Sequence, residues 1–174
     1  QFVERRFSGD NKRIETEMIG QIEQAFADEL PRLAWMDDAT RQRALEKMHA
    51  IVNKVGYPDV WREYGGLAVG TEHLVNVLAG RRFEWQREVA KIGRPVDDRE
   101  WHMTPPTVNA YYNPSGNEMV FPAGILQPPF YANAAPMPTN YGGIGMVMGH
   151  ELTHGFDDEG RQFDAEGNLK DWWS

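Results

Sequence analysis

The sequence predicts a mainly α chain with a small β-hairpin, an α+β arrangement. Three observations carry that expectation. Apolar residues recur at helical spacing through the first half of the chain. Residues 101–138 are rich in Pro, Gly, Asn and aromatics and hold two short apolar runs around a turn cluster. A later apolar, glycine-rich run ends on His150-Glu151-Leu152-Thr153-His154, whose histidines share one face of a helix.

In chain order, Ile14, Met18, Ile22, Phe26 and Leu30 form the first apolar stripe. Asp10 or Asn11 is expected to cap its start, and Pro31 marks its end. A second helix is expected after Asp37 or Asp38. Leu45, Met48 and Val52 are its inward face, and Gly56-Tyr57-Pro58 stops it. Both helices read as scaffold, their charges as solvated faces. After a Gly- and aromatic-rich connector, a third helix is expected over 71–91. Leu74, Leu78, Trp85 and Val89 are its inner residues, and Gly93 and Pro95 end it.

Residues 107–112 are expected as a strand, 113–117 as a turn and 118–121 as the returning strand. The last helix is expected from Thr139 or Asn140 through His154. It contains Gly142, Gly143, Gly145 and Gly149, each costing roughly 1 kcal/mol against alanine inside a helix. Close approach of another backbone is the expected reason.

Composition narrows the function classes. A chain of 174 residues with 41% hydrophobic and 25% charged residues can bury a core. A net charge of −8 argues against a nucleic-acid partner and gives no attraction to anionic lipid. The absence of cysteine excludes disulfides, thiolate metal sites and cysteine nucleophiles. No apolar run approaches the roughly 20 residues of a membrane span, and residues 1–7 lack the apolar core of a signal peptide.

His150 and His154 lie one helical turn apart, so both imidazoles can reach one ion, and zinc favours such neutral nitrogen ligands. Glu151 falls roughly 100° round the helix from His150. It can stand beside the metal without binding it and act as general base toward a zinc-activated water. The bland alternative is two helix histidines that share a face by chance. Between His150 and Asp171, seven acids stand against two bases, which suits a cation and equally suits a solvated acidic loop. A third histidine six residues after His154 would define one peptidase class. Gly160 occupies that position and Asp157 replaces the required glycine, so that class is excluded. Asp157 or Asp158 could accept the far N–H of a ligand histidine, or be ordinary helix-end carboxylates. His49, His73 and His102 lack ligand spacing and read as structural.

Four blocks then become familiar. They are Val108-Asn109-Ala110-Tyr111-Tyr112, the run 121–130 (FPAGILQPPF), Asn140-Tyr141-Gly142-Gly143-Ile144-Gly145, and the run 149–158 (GHELTHGFDD). In order and spacing they resemble the neprilysin and endothelin-converting-enzyme family, which includes bacterial oligopeptidases. The resemblance is dense from Trp101 to Trp173 and looser upstream. It implies a zincin-type active-site helix within a larger two-lobed helical peptidase. Residues 1–70 would be a helical inter-lobe scaffold and 71–174 the N-terminal half of the catalytic lobe. It further implies a Zn2+-dependent endopeptidase of oligopeptides that cuts before large hydrophobic residues.

By the same resemblance, Asn109 and Ala110 match contacts to the substrate backbone, as a strand edge offered to an extended peptide would make. Ile125, Phe130, Met146 and Val147 match the lining of a specificity pocket. The family's third zinc ligand is a Glu some tens of residues beyond the second histidine, and an oxyanion-stabilising His and a substrate-holding Arg lie further on. All three fall past Ser174. The chain alone is therefore expected to be inactive, to bind zinc weakly, and to need the remaining half of the lobe or to self-associate. A periplasmic or otherwise extracytoplasmic location is expected. The competing expectation is a non-enzymatic scaffold or interaction domain retaining a degenerate zinc motif.

Overall fold

A computed structural model describes residues 1–7 and 9–173. In chain order the elements are α1 (Phe2–Arg6), α2 (Asn11–Glu29), a 3-10 turn (Leu30–Arg32), α3 (Asp38–His49), β1 (Val52–Gly56), α4 (His73–Val89), β2 (Tyr111–Asn113), β3 (Glu118–Pro122), α5 (Met137–Asn140), a π-helical turn (Tyr141–Gly145), α6 (Met146–His154) and a 3-10 turn (Gly160–Gln162). They fall into two units. The first is Gln1–Pro58 with the chain from Trp101 onward, and the second is Asp59–Glu100. The mainly α class with a small sheet is borne out.

In the first unit α2 presents the expected stripe. Met18, Ile19 and Leu30 are buried, with Ile14, Ile22 and Phe26 packed beside them. Pro31 sits in the turn that ends the helix. Asp37 caps α3 by accepting the Thr40 N–H at 2.7 Å, satisfying one of the donors a helix start leaves unpaired.

The expected continuation of α3 through Val52 is corrected. The helix stops at His49, and residues 52–56 form a strand parallel to β3, with Val52 opposite Glu118 and Gly56 opposite Pro122. Leu45, Met48 and Val52 keep helical spacing, so the local pattern could not reveal pairing with a distant segment. β2 and β3 form the expected hairpin, Tyr111 opposite Val120, although β2 begins at Tyr111 rather than at Thr107. The strand order is β1-β3-β2, which leaves β2 at an edge. All five residues of β3 are buried, and Met119 and Phe121 enter the core shared with α2 and α6. Lys54 and Glu118 pair across β1 and β3 at 2.5 Å.

The second unit holds α4, whose charged side chains form an ion-pair network. Arg87 binds Glu84, Glu88 and Glu100, and Lys91 binds Glu88 and Glu100. The expectation that its apolar stripe lies inside is corrected: Leu74, Leu78, Trp85 and Val89 are exposed. α4 is the one regular element of its unit, so an amphipathic face has no second element there to bury it.

Candidate active site

The last helix is continuous from Met137 to His154, starting two residues earlier than the sequence suggested. Ile144, Met148 and Leu152, four apart, are buried and hold it against the core. The π-helical turn at Tyr141–Gly145 redirects one backbone donor: the Ile144 N–H bonds to Phe130 O at 2.8 Å. A Cβ on Gly143 would overlap that same carbonyl oxygen, so the expected backbone approach is found at this glycine. At Gly142 and Gly149 a Cβ would meet open space, and close approach does not explain them.

On the opposite face, His150 Nε2 and His154 Nε2 lie 3.1 Å apart. Two nitrogens bound tetrahedrally at about 2.0–2.1 Å from one zinc ion stand about 3.4 Å apart. The pair therefore fits a shared ion with an adjustment of a few tenths of an ångström. Asp157 Oδ2 lies 2.8 Å from His154 Nδ1. That contact leaves Nε2 as the nitrogen available for metal. Of the two aspartates left open by the sequence, Asp157 makes this contact, whereas Asp158 is exposed and its carbonyl accepts from Gln162. Asp157 Oδ1 also accepts the N–H groups of Glu159 and Gly160, and these bonds hold its carboxyl below the usual carboxylate range despite partial burial.

Glu151 is buried. Burial pushes its carboxyl above the ordinary range, while the two histidines and a hydrogen bond from the Tyr112 backbone N–H pull the other way. Tyr112 belongs to the edge strand β2, so the sheet fixes the Glu151 carboxyl. Its phenol is itself anchored, donating to Asn117 Oδ1 at 2.7 Å, and burial raises its pKa well above the usual range.

Residues 109–112 form one wall of a cleft of about 360 Å³; His150, Glu151, His154 and Asp157 line it too. Asn109 is exposed there and Ala110 is buried. The other sequence-proposed residues are not brought into this cleft. Ile125 is buried in the core, Phe130 and Val147 pack against that core, and Met146 is exposed. Among the described residues no group of three His, Cys, Asp or Glu side chains is placed to hold a metal.

Sequence reasoning missed two features. The Tyr112 backbone donor leaves no trace in residue type. The sequence groups Lys47 with the solvated charges of its helix, but it is 1% exposed and faces the loop after His154. Its spacing from the buried Thr40 and Ala44 on the same helix was the available signal.

The chain is similar to known peptidases. Two sequence models described as peptidase family M13 match residues 1–58 and 109–174. Human endothelin-converting enzyme 1 is 46% identical over 182 residues, covering 99% of this chain and 23% of that protein. The endothelin-converting enzyme homolog of Locusta migratoria is 45% identical, with 99% and 25% covered. Among solved structures, the Mycobacterium tuberculosis zinc metalloprotease Zmp1 in complex with an inhibitor matches with a TM-score of 0.93 at 49% identity, covering 99% of this chain and 26% of that one. PepO from Lactobacillus rhamnosis HN001 matches with a TM-score of 0.88 at 34% identity, covering 99% and 28%. The chain thus spans about a quarter of the length of the relatives it matches.

Proposed function

The chain belongs to peptidase family M13, and from that membership and the geometry of the cleft we propose that it contributes half of a zinc endopeptidase site acting on oligopeptides. The observation that carries the reading is the convergence of His150 Nε2 and His154 Nε2 beside the buried Glu151. His150 and His154 hold the ion, and Asp157 orients His154. Bound there, zinc supplies the Lewis acidity that activates water and polarises a peptide carbonyl.

Glu151 accepts a proton from the attacking water at its carboxylate and delivers it to the nitrogen of the departing amine. Its raised pKa suits both roles, because a base nearer neutrality also gives its proton back. Asn109 and Ala110, just before edge strand β2, hold the substrate backbone in extended form. From the family resemblance we assign Ile125, Phe130, Met146 and Val147, which lie outside the cleft at the histidines, to a separate pocket for a large hydrophobic residue after the cut. The Asp158 backbone carbonyl, which accepts from Gln162 Nε2, helps hold the loop that bears Asp157.

From the family resemblance we place the third zinc ligand, a Glu, outside these 174 residues. Residues 1–70 serve as inter-lobe scaffold and 71–174 as the N-terminal half of the catalytic lobe. No helix among the described residues is long and apolar enough to cross a membrane. From the family membership we assign the site to an extracytoplasmic compartment.

The test compares the intact protein carrying this sequence with the 174-residue chain, using a quenched fluorescent peptide with a hydrophobic residue after the scissile bond. The intact protein is expected to cleave it, to stop on chelation and to recover with zinc. The chain alone is expected to bind zinc weakly and cleave nothing. Chelator-resistant cleavage by the intact protein would refute the zinc reading. Tight one-to-one zinc binding with turnover by the chain alone would refute the external third ligand.

A further inference from the structure

Lys47 lies in α3, far in sequence from the histidines, yet its ammonium reaches the end of the active-site helix. All three of its protons are directed at backbone carbonyls: Gly155 O at 2.6 Å, Gly160 O at 2.6 Å and Phe163 O at 2.7 Å. Around it stand the rings of Tyr112, Phe156 and Trp172, at 5.8, 5.7 and 5.6 Å. Burial lowers its pKa to about 8, while Asp157 and Asp164 act in the opposite direction. A buried cation is costly to desolvate unless its donors are fully used, and here they are.

The three oxygens belong to one short stretch. Gly155 follows His154 and ends α6, where the helix dipole favours a positive charge. Gly160 opens the 3-10 turn, and its own N–H donates to Asp157 Oδ1 at 2.8 Å. Phe163 ends that turn and its carbonyl also accepts from Trp172 Nε1. The stretch is folded tightly back on the helix, since a Cβ on Gly160 would overlap His154 O. A continuous chain of contacts therefore runs from Lys47 Nζ to Gly160, from Gly160 N–H to Asp157, and from Asp157 Oδ2 to His154 Nδ1.

We propose that Lys47 is a positioning residue for the metal site: its ammonium clamps the loop 155–163 so that Asp157 meets His154 Nδ1 and His154 Nε2 is aimed at the ion. This rests on the zinc reading given above. A lysine that only stabilised the fold would affect zinc binding independently of Asp157. A lysine that acts through Asp157 has no further effect once that carboxylate is gone.

The test is a double-mutant cycle on zinc affinity in the intact protein, with Lys47→Met, Asp157→Ala and the double variant titrated with zinc ions against a chromophoric chelator. Each single change is expected to weaken zinc binding about 10–100-fold, the usual effect of removing a partner that orients a ligand. The double variant is expected to bind no more than about threefold more weakly than Asp157→Ala alone. Losses that multiply, or a folded Lys47→Met that binds zinc like the wild type, would overturn the proposal. If Lys47→Met fails to fold, Lys47→Gln, which keeps two donors, takes its place in the cycle. Failure of both to fold would make Lys47 a folding residue and overturn the proposal as well. A wild-type protein that binds no zinc would sink the metallopeptidase reading and this inference with it, whereas wild-type binding without coupling to Asp157 sinks this inference alone.

Discussion

The Ile144 N–H donates to the carbonyl oxygen of Phe130 at 2.8 Å, a bond that takes one donor out of the helix leading to the histidines. The π-helical turn that permits it needs a residue without a side chain at Gly143, because a Cβ there overlaps Phe130 O. Gly143→Ala is expected to destabilise the protein by about 1–3 kcal/mol, the range for forcing a group into packed space. The gain in helix propensity returns only part of that. Urea unfolding of the variant measures it, and an unchanged midpoint would show that the turn relaxes without strain.

Glu15 is 0% exposed, and neither of its carboxyl oxygens has a hydrogen-bond partner among the described residues. Burial raises its pKa from 4.5 to about 9. Between those values the folded chain keeps a proton that the unfolded chain releases, so rising pH favours unfolding by up to about 1.4 kcal/mol per pH unit. The contribution is fully present below the unfolded pKa and is lost as pH climbs toward the folded one. Glu15→Gln cannot ionise. Its stability relative to the wild type is therefore expected to grow from pH 5 to pH 8, read as diverging urea midpoints. Parallel pH curves for the two proteins would contradict this.

Asn109 is exposed in the cleft just before the edge strand β2, apart from the histidines in sequence. In the intact protein Asn109→Ala is expected to lower kcat/KM on several peptides by about tenfold, the loss of one or two substrate hydrogen bonds. Zinc content should stay unchanged. Equal kinetics across those peptides would remove Asn109 from the substrate site.

Much of this arrangement was legible in the sequence because it is local. The stripe of α2, the start of α3 after Asp37 or Asp38, the hairpin turn at 113–117 and the one-turn spacing of His150 and His154 all depend on residues within a few positions of one another. The features that were not legible are pairings across the chain. β1 joins β3 in parallel, Lys47 clamps the loop after His154, and the Tyr112 N–H reaches Glu151. The choice between Asp157 and Asp158 was decided by the turn at Gly160, whose N–H fixes the first of them. The exposed stripe of α4 has helical spacing as good as that of α2, and pattern alone could not say which stripe would find a partner.

Glu151 is proposed to move protons and not to hold the metal. It is buried beside both histidines and receives the Tyr112 N–H. The most direct measurement is made on Glu151→Gln in the intact protein, with zinc content and peptide turnover determined on the same sample. Zinc is expected to be retained at the wild-type level and turnover to fall by at least about 10²-fold, the lower end for loss of a general base. Loss of the zinc, or retention of wild-type turnover, would contradict it.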